Sequence, residues 1–434
     1  MAHAEKLVKS WRVKYQLADG SWAPWISGFP TKSAALAKGR ELEAASKAGT
    51  YVDPKLAMTP FGKWVPIWTA AQRVDPGTVA KRRRLLKTHL LPEWENTPLC
   101  KINLFVAKAW GARQTCDQVT VGHALTLLSM ILTGAADAEY ITHNPLAGRR
   151  RKTGGSNIDE EEKAEKVWAQ PDQAYDLYER LGGVAGLMVL TTAYTGLRWG
   201  ELTGLHKSNC LLLRQDRVAG KVYPRKVIKI DRKVGALHEV EIEVTPEQLA
   251  EWRAREDARI EAGIAKGRSP RRRKDPETRI ALYLGKPKNK KSAREVDVPP
   301  FLAELLAVHM ATWKHPYLFT TPTDGAWWRR SNFGRALRPA ADGRAESLRR
   351  VGTAGHPGWE PIVPGLTMHG LRHGHDTWMK EDHVDRALRF ERMGWLAKDI
   401  EGVYEHVTPQ MRQDLLTALQ ARWEGALKHA RQAS

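Results

Sequence analysis

The sequence predicts a multidomain protein, mainly α-helical, with small β-sheets. Three observations lead there. The chain has 434 residues, too many for one ordinary domain. Apolar residues recur at helical spacing over most of its length, while strict alternation is confined to short runs. A stretch dense in charge and free of aromatics, residues 151–166, divides the sequence and reads as a linker.

The N-terminal module spans 1–55. Its run WRVKYQL alternates, Asp19-Gly20 is a hairpin turn signal, and SWAPWISGF returns as a second strand. Thr31 is placed to cap a helix running to Ala48. A hairpin with one helix makes a small αβ unit. Residues 56–150 are expected to be helical throughout. Phe61, Trp64 and Trp68 share one helix face, Asp75-Pro76 opens the next helix, and VGHALTLLSMILTGAADAEY forms another, ended by Asn144-Pro145.

A further domain, 167–410, begins near Trp168, with Pro171 suited to a first helical turn. Two helices precede a β-rich stretch near 217–244. A charged helix over 246–266 and a mobile basic loop, GRSPRRRKDPE, come next. IALYLGKPKNKKSAREVDVP reads as strand, tight turn, strand, and the remainder is mostly helix. In the tail, 411–434, Leu415, Leu416, Leu419, Trp423 and Leu427 form one apolar stripe. That stripe is buried either on its own domain or on a neighbouring copy.

Lys and Arg number 69 against 49 Asp and Glu, a net charge of +20. Such an excess favours a polyanionic partner, because each neutralised phosphate releases counterions. Arg82, Arg83, Arg84 and Lys87 lie within about one and a half helical turns, and Arg149, Arg150, Arg151 and Lys152 form a second basic run. Together they suggest a helical clamp on DNA. No segment reaches the roughly 18 consecutive apolar residues of a membrane span. MAHAEKLVKSW lacks the apolar core of a signal peptide. Cys100, Cys116 and Cys210 are widely spaced, which suits a reducing cytoplasm and argues against a zinc site or a disulfide framework.

The sequence has no GxxxxGK[ST], HExxH, GxSxG or paired CxxC, the signatures of P-loop, zinc-protease, serine-hydrolase and thiol-redox chemistry. What remains is cationic residues and one tyrosine, in four segments. In TTAYTGLRWGELTGL, an apolar helix stops at Thr195-Gly196 and a new one starts, so Arg198 lies near a helix N-terminus where its guanidinium and free backbone amides could meet an anion. Glu201, one turn on, can hold that arginine. In PKNKKSAREVDVP, Lys288 lies at a hairpin tip or edge, with Lys290 and Lys291 as competitors. In HGLRH, His369 and Arg372 share a helix face, with His373 beside them. In MGWLAKDIEGVYEH, Trp395 precedes Tyr404 by nine residues.

In this order the segments resemble the tyrosine recombinase (phage integrase) family, whose pattern is Arg, Lys, His-x-x-Arg, His or Trp, then Tyr. The matched motifs are TGLRxxEL, PKxK…VP, HxLRH, a GW dipeptide preceded by Met393 where relatives carry Leu, and Tyr404 followed by x-His. The match covers about 165–410. The upstream layout resembles actinobacterial-phage-type integrases, with an arm-type DNA-binding module followed by a helical core-binding domain. Trp395 stands where many relatives have His; its indole N–H still donates to a phosphate oxygen.

The resemblance implies an α+β catalytic domain and cleavage of DNA through a 3′-phosphotyrosine on Tyr404. It gives Arg198 and Arg372 the non-bridging oxygens, His369 the base or relay, Lys288 the acid for the departing 5′-oxygen, and Trp395 a phosphate contact. No metal, cofactor or ATP is implied. Implied partners are double-stranded attachment sites, a synaptic homotetramer, and an excisionase or host bending protein, in the host cytoplasm or nucleoid. A type IB topoisomerase-like enzyme and a non-catalytic, decayed integrase stand as the other readings.

Overall fold

The computed structural model describes residues 2–49, 51–148, 166–218, 221–267, 269–270, 273–347, 355–396 and 406–433. The chain divides into two compact units, Met1–Glu160 and Glu161–Ser434.

The first unit opens with an antiparallel sheet of β1 (His3–Lys6), β2 (Trp11–Lys14) and β3 (Ile26–Phe29), in that spatial order. The Asp19-Gly20 turn forms, with Gly20 at φ +86° and Gln16 bridging Trp22. β1 adds a third strand to the expected hairpin. HAEK carries no apolar alternation, and only its pairing, Ala4 opposite Val13, makes it a strand. Helix α1 (Lys32–Lys47) starts where the Thr31 hydroxyl accepts from the Ala34 amide at 3.1 Å. Tyr15, Ala23 and Leu42 form a small core.

After α2 (Pro54–Ala57) come α3 (Phe61–Ala70), α4 (Pro76–Leu85), a π-helical turn at Leu86–Leu90, α5 (Leu91–Trp94), α6 (Leu104–Ala112) and α7 (Gln118–Asp137). Phe61, Trp64 and Trp68 all point inward, and the Trp64 indole donates to the Ile131 carbonyl at 3.1 Å. By length and composition α7 is apolar enough to cross a membrane. Half of its apolar stretch is buried, with Leu125, Leu128, Ile131 and Leu132 in the helical core. Each such burial contributes about 1.5–3 kcal/mol.

The second unit begins with α8 (Pro171–Leu181), α9 (Gly183–Thr195) and α10 (Trp199–Thr203). Next come β4 (Cys210–Val218), β5 (Lys221–Ile230), β6 (Ala236–Glu243), α11 (Pro246–Ile264), β7 (Thr278–Gly285) and β8 (Arg294–Asp297). The remainder is α12 (Pro300–Thr312), α13 (Arg330–Asp342), α14 (Met368–Glu381), α15 (Arg386–Met393) and α16 (Pro409–Ala433). The β-rich stretch thus begins at Cys210, earlier than expected. In the basic loop after α11, the Arg273 amide donates to Glu256 and Arg253 pairs with Asp275; residues 268, 271 and 272 lie outside the described set.

One expectation is corrected here. The strands flanking Lys288 do not form a hairpin. β7 pairs with β6, His238 opposite Tyr283, while β8 pairs with β5, Ile228 opposite Val296. They belong to two separate sheets, β6-β7 and β4-β5-β8. Proximity along the chain suggests a tight turn, but partner choice follows burial. Val296 completes a buried layer with Ile228 and Ile230, and β7 already has a matched partner over its whole length.

The core of this unit joins Leu177, Met188, Leu190, Tyr194, Leu302 and Trp378 with the C-terminal helix. Leu415, Leu419, Trp423 and Ala426 are buried, and Trp423 stacks on Phe301 with ring centroids 4.2 Å apart. Leu416 and Leu427 are half-buried. The apolar stripe of the tail is therefore used on its own unit.

Candidate active site

The site is built on two glycine turns. α9 ends at Gly196, whose left-handed φ of +66° turns the chain so that Arg198 immediately precedes α10. α15 ends at Gly394, φ +60°, where a Cβ would lie 3.1 Å from the Lys291 carbonyl, the Ser292 Cα and Arg294 Nη1. Both positions need the conformation and the space that glycine supplies.

Arg198 is about three-quarters buried. Its Nη1 donates to Glu201 Oε1 at 2.8 Å and to Ser292 Oγ at 3.0 Å, and its Nη2 donates to the Gly394 carbonyl at 3.2 Å. Its backbone amide donates to Glu201 Oε2 at 3.0 Å. That amide is thus taken by Glu201. Arg372, in the second turn of α14, is buried and donates through Nη1 to the Gly196 carbonyl and through Nη2 to the Met393 carbonyl. The successive carbonyls of Met393 and Gly394 therefore hold one arginine each. Burial, then the cations of Arg198 and Arg294, push Arg372 down to about 9. It is still protonated at neutral pH; burial is the main cause of the shift, and the neighbouring guanidiniums add to it.

His369, one turn before Arg372, is exposed, and its ring meets His373 edge-on with centroids 4.4 Å apart. Partial burial, then His373, Arg372, Lys166 and Arg330, push it down to about 4, so it is neutral at pH 7. Trp395 is half-buried, edge-on to Phe390 at 5.6 Å, and Arg372 lies 6.0 Å from its ring. Lys288 is exposed on the crossing between the two sheets. Its neighbour Asn289 accepts from the Ser292 amide and hydroxyl at 2.8 Å, and Ser292 touches Arg198, so the lysine segment joins the arginine site through Ser292. Lys291 is exposed, with its carbonyl against Gly394. Tyr404 and the side chain of Lys290 lie outside the described residues.

A second set of residues at this site escapes a motif reading. Arg294 donates to both oxygens of Glu201 at 3.1 Å. Arg392 donates to His375 Nε2 and to the Asp297 and Tyr194 carbonyls, each at 2.8 Å. The Asp297 carboxylate takes Arg225 at 2.7 Å and Arg412 at 3.0 Å. Burial would raise both carboxyls, but Arg294 and then Arg198 hold Glu201 below its usual value, and Arg225 does the same for Asp297. The available signal was register: Arg294 shares its strand face with Val296 and Val298, an unusual place for an arginine without a partner.

In the first unit, Arg82 lies 5.1 Å over the Trp68 ring and donates to Gln72 at 3.3 Å, so part of its role is packing. Arg83 is half-buried, and Arg84 and Lys87 are exposed. Arg149, Arg150 and Arg151 lie outside the described residues.

No family model matches the chain. The "Putative prophage phiRv2 integrase" of Mycobacterium tuberculosis (strain CDC 1551 / Oshkosh) is 28% identical over 158 residues, 35% of this chain and 39% of the relative. The same match recurs in strain H37Rv. The chain is thus matched to about two fifths of the length of these curated relatives. The Tn1549 transposon integrase in complex with transposon right end DNA superposes with a TM-score of 0.51 at 14% identity, covering 83% of this chain and all of that one. A second structure of that integrase, with a circular intermediate DNA, gives 0.53 at 14% identity over 83% of this chain and 99% of that one. By motif order, by sequence relatives and by fold, the resemblance holds, and the chain has the multidomain fold of the tyrosine recombinase integrases.

Proposed function

We propose that this protein is a site-specific DNA recombinase that cleaves and rejoins DNA through a 3′-phosphotyrosine on Tyr404, integrating or excising a phage or mobile element. The observation that carries this reading is the pairing of Arg198 and Arg372 on adjacent carbonyls, with Arg294 a third guanidinium that shares the Glu201 carboxylate with Arg198. Attack on a phosphodiester builds negative charge on the non-bridging oxygens, and two fixed guanidiniums offset it without rearranging during the reaction.

In this reading Tyr404 Oη attacks phosphorus, the bond to the 5′-oxygen breaks, and Lys288 protonates the leaving oxygen. His369, neutral at pH 7, takes or relays the phenol proton. Trp395 donates its indole N–H to a phosphate oxygen. The phosphotyrosine conserves the bond energy, so religation needs neither ATP nor a metal. Residues 1–55 grip arm-type sequences, 56–150 the core site with Arg82, Arg83, Arg84, Lys87, Arg149, Arg150 and Arg151 on the backbone, 151–166 link, and 167–410 catalyse. Lys290 and Lys291 add phosphate contacts. Four protomers act on two attachment sites in the host cytoplasm, with an excisionase or host bending protein setting direction.

The test is a nicked duplex carrying the core attachment sequence, identified in DNA flanking the gene. Cleavage next to the nick releases a short fragment and traps protein on DNA. A denaturation-stable adduct is expected. Its absence, with the site bound, would favour a non-catalytic DNA-binding protein.

A further inference from the structure

We propose that Arg294 is a positioning residue that sets the spacing of Arg198 and Arg372 at the reacting phosphate; this rests on the recombinase reading above. Arg294 lies on β8 with its side chain buried, and it makes contacts in two directions. Toward α10, its two terminal nitrogens each donate to one oxygen of Glu201 at 3.1 Å. Toward α15, its Nε donates to the Arg392 carbonyl at 2.6 Å. The next two carbonyls, of Met393 and Gly394, are the ones that hold Arg372 and Arg198. A third contact, to the Ser292 carbonyl at 2.9 Å, fixes the turn whose hydroxyl meets Arg198.

The consequence is a division of labour at Glu201. A buried carboxylate facing a single arginine takes both forks of its guanidinium. Here Arg294 takes the forked position, and the Arg198 guanidinium meets Glu201 through Nη1 alone, while the Arg198 backbone amide donates to the other carboxylate oxygen. Arg198 Nη2 is thereby kept off the carboxylate and on the Gly394 carbonyl. Without Arg294, Glu201 has one cation left, and Arg198 is drawn onto it and away from the phosphate. At the same time the α15 turn loses the buried tie that keeps the two carbonyls in place. Arg294 touches no substrate in this arrangement and acts only through the other two arginines.

The experiment compares full-length wild type with Arg294→Gln on the nicked duplex described above, measuring site affinity and the single-turnover rate of adduct formation. A second duplex carries a methylphosphonate at the scissile position, a neutral linkage with one non-bridging oxygen replaced by methyl. Arg294→Gln is expected to bind within a few-fold of wild type but to cleave about 10- to 100-fold more slowly. The gap should narrow on the neutral linkage, because less charge then needs offsetting. Arg294→Lys, which keeps the charge but not the fork, should fall between, and it carries the test if Arg294→Gln does not fold. Cleavage by the variants at the wild-type rate would overturn the proposal. So would an equal defect on both linkages with a lowered melting temperature, which is what a purely structural role predicts. Absence of any adduct from wild type would instead remove the recombinase reading itself.

Discussion

Arg392 donates its Nε–H to Nε2 of His375 at 2.8 Å, with both side chains buried. The acceptor nitrogen must be unprotonated, so the contact requires a neutral imidazole. Burial, then Arg392, Arg372 and Arg422, hold His375 well below 6.5, against a weaker opposing pull from the Ala193 carbonyl.

A pH dependence of stability is expected from this pair. A histidine kept neutral in the native state gains its proton only on unfolding as pH falls below 6.5. Its stabilising contribution is complete above that value and declines toward acid, by up to about 1.4 kcal/mol per pH unit per histidine. His369 and His373 act with the same sign. Glu201 and Asp297 are held low and titrate at more acid pH, leaving the window from pH 6.5 to 5.5 to the histidines. The melting temperature should fall across this window, and His375→Gln, which keeps an acceptor for Arg392, should flatten the fall. An unchanged slope in His375→Gln would refute the assignment.

Tyr404→Phe is expected to abolish covalent attachment while leaving site affinity within about two-fold, because the lost hydroxyl adds little to the phosphate contacts that set affinity. Gel shift and denaturing electrophoresis on the same nicked duplex read the two quantities. An adduct that persists in Tyr404→Phe would move the nucleophile elsewhere, with Tyr317 and Tyr283 the next to test.

Removing residues 1–55 is expected to spare cleavage at a short core site and to impair recombination between full attachment sites. In the proposed reading the module adds effective concentration through a second grip on DNA, not chemistry. Its Arg12 and Lys14 lie 4.4 and 5.3 Å from the Trp25 ring on the β1-β2-β3 sheet. Recombination of full sites at undiminished efficiency by the shortened protein would show that the module is dispensable.

Truncation after Gln410 removes Trp423 from its stack on Phe301 and Arg422 from Asp382 and Glu381. It also removes Arg412 from Asp297 and Glu391. A clear loss of melting temperature in the free monomer is expected, and Trp423→Ala alone should cost about 3–5 kcal/mol. A truncated protein with wild-type stability that fails only in assembling synaptic complexes would instead give the tail a role between protomers.

The fold class, the order of the motifs and most helices were legible in the chain, because they depend on local chemistry. Thr31 caps a helix by the reach of its own side chain, Pro171 opens one by its fixed φ, and Gly196 ends another by tolerating positive φ. His369 and Arg372 share a face because helical spacing alone puts them there. Partnership across distance was not legible. The segment around Lys288 has the pattern of a hairpin, yet its two strands pair in different sheets, because register is chosen by the buried layer each strand completes. Arg294 and Arg392 follow no motif, and their meaning arises when folding brings Glu201, His375, Asp297 and the Met393–Gly394 carbonyls within hydrogen-bond reach. The sequence by itself determined which cations the chain carries and in what order. Only the tertiary structure decided which of them share a carboxylate and which are held by backbone carbonyls, since a buried charge is defined by the partners that surround it.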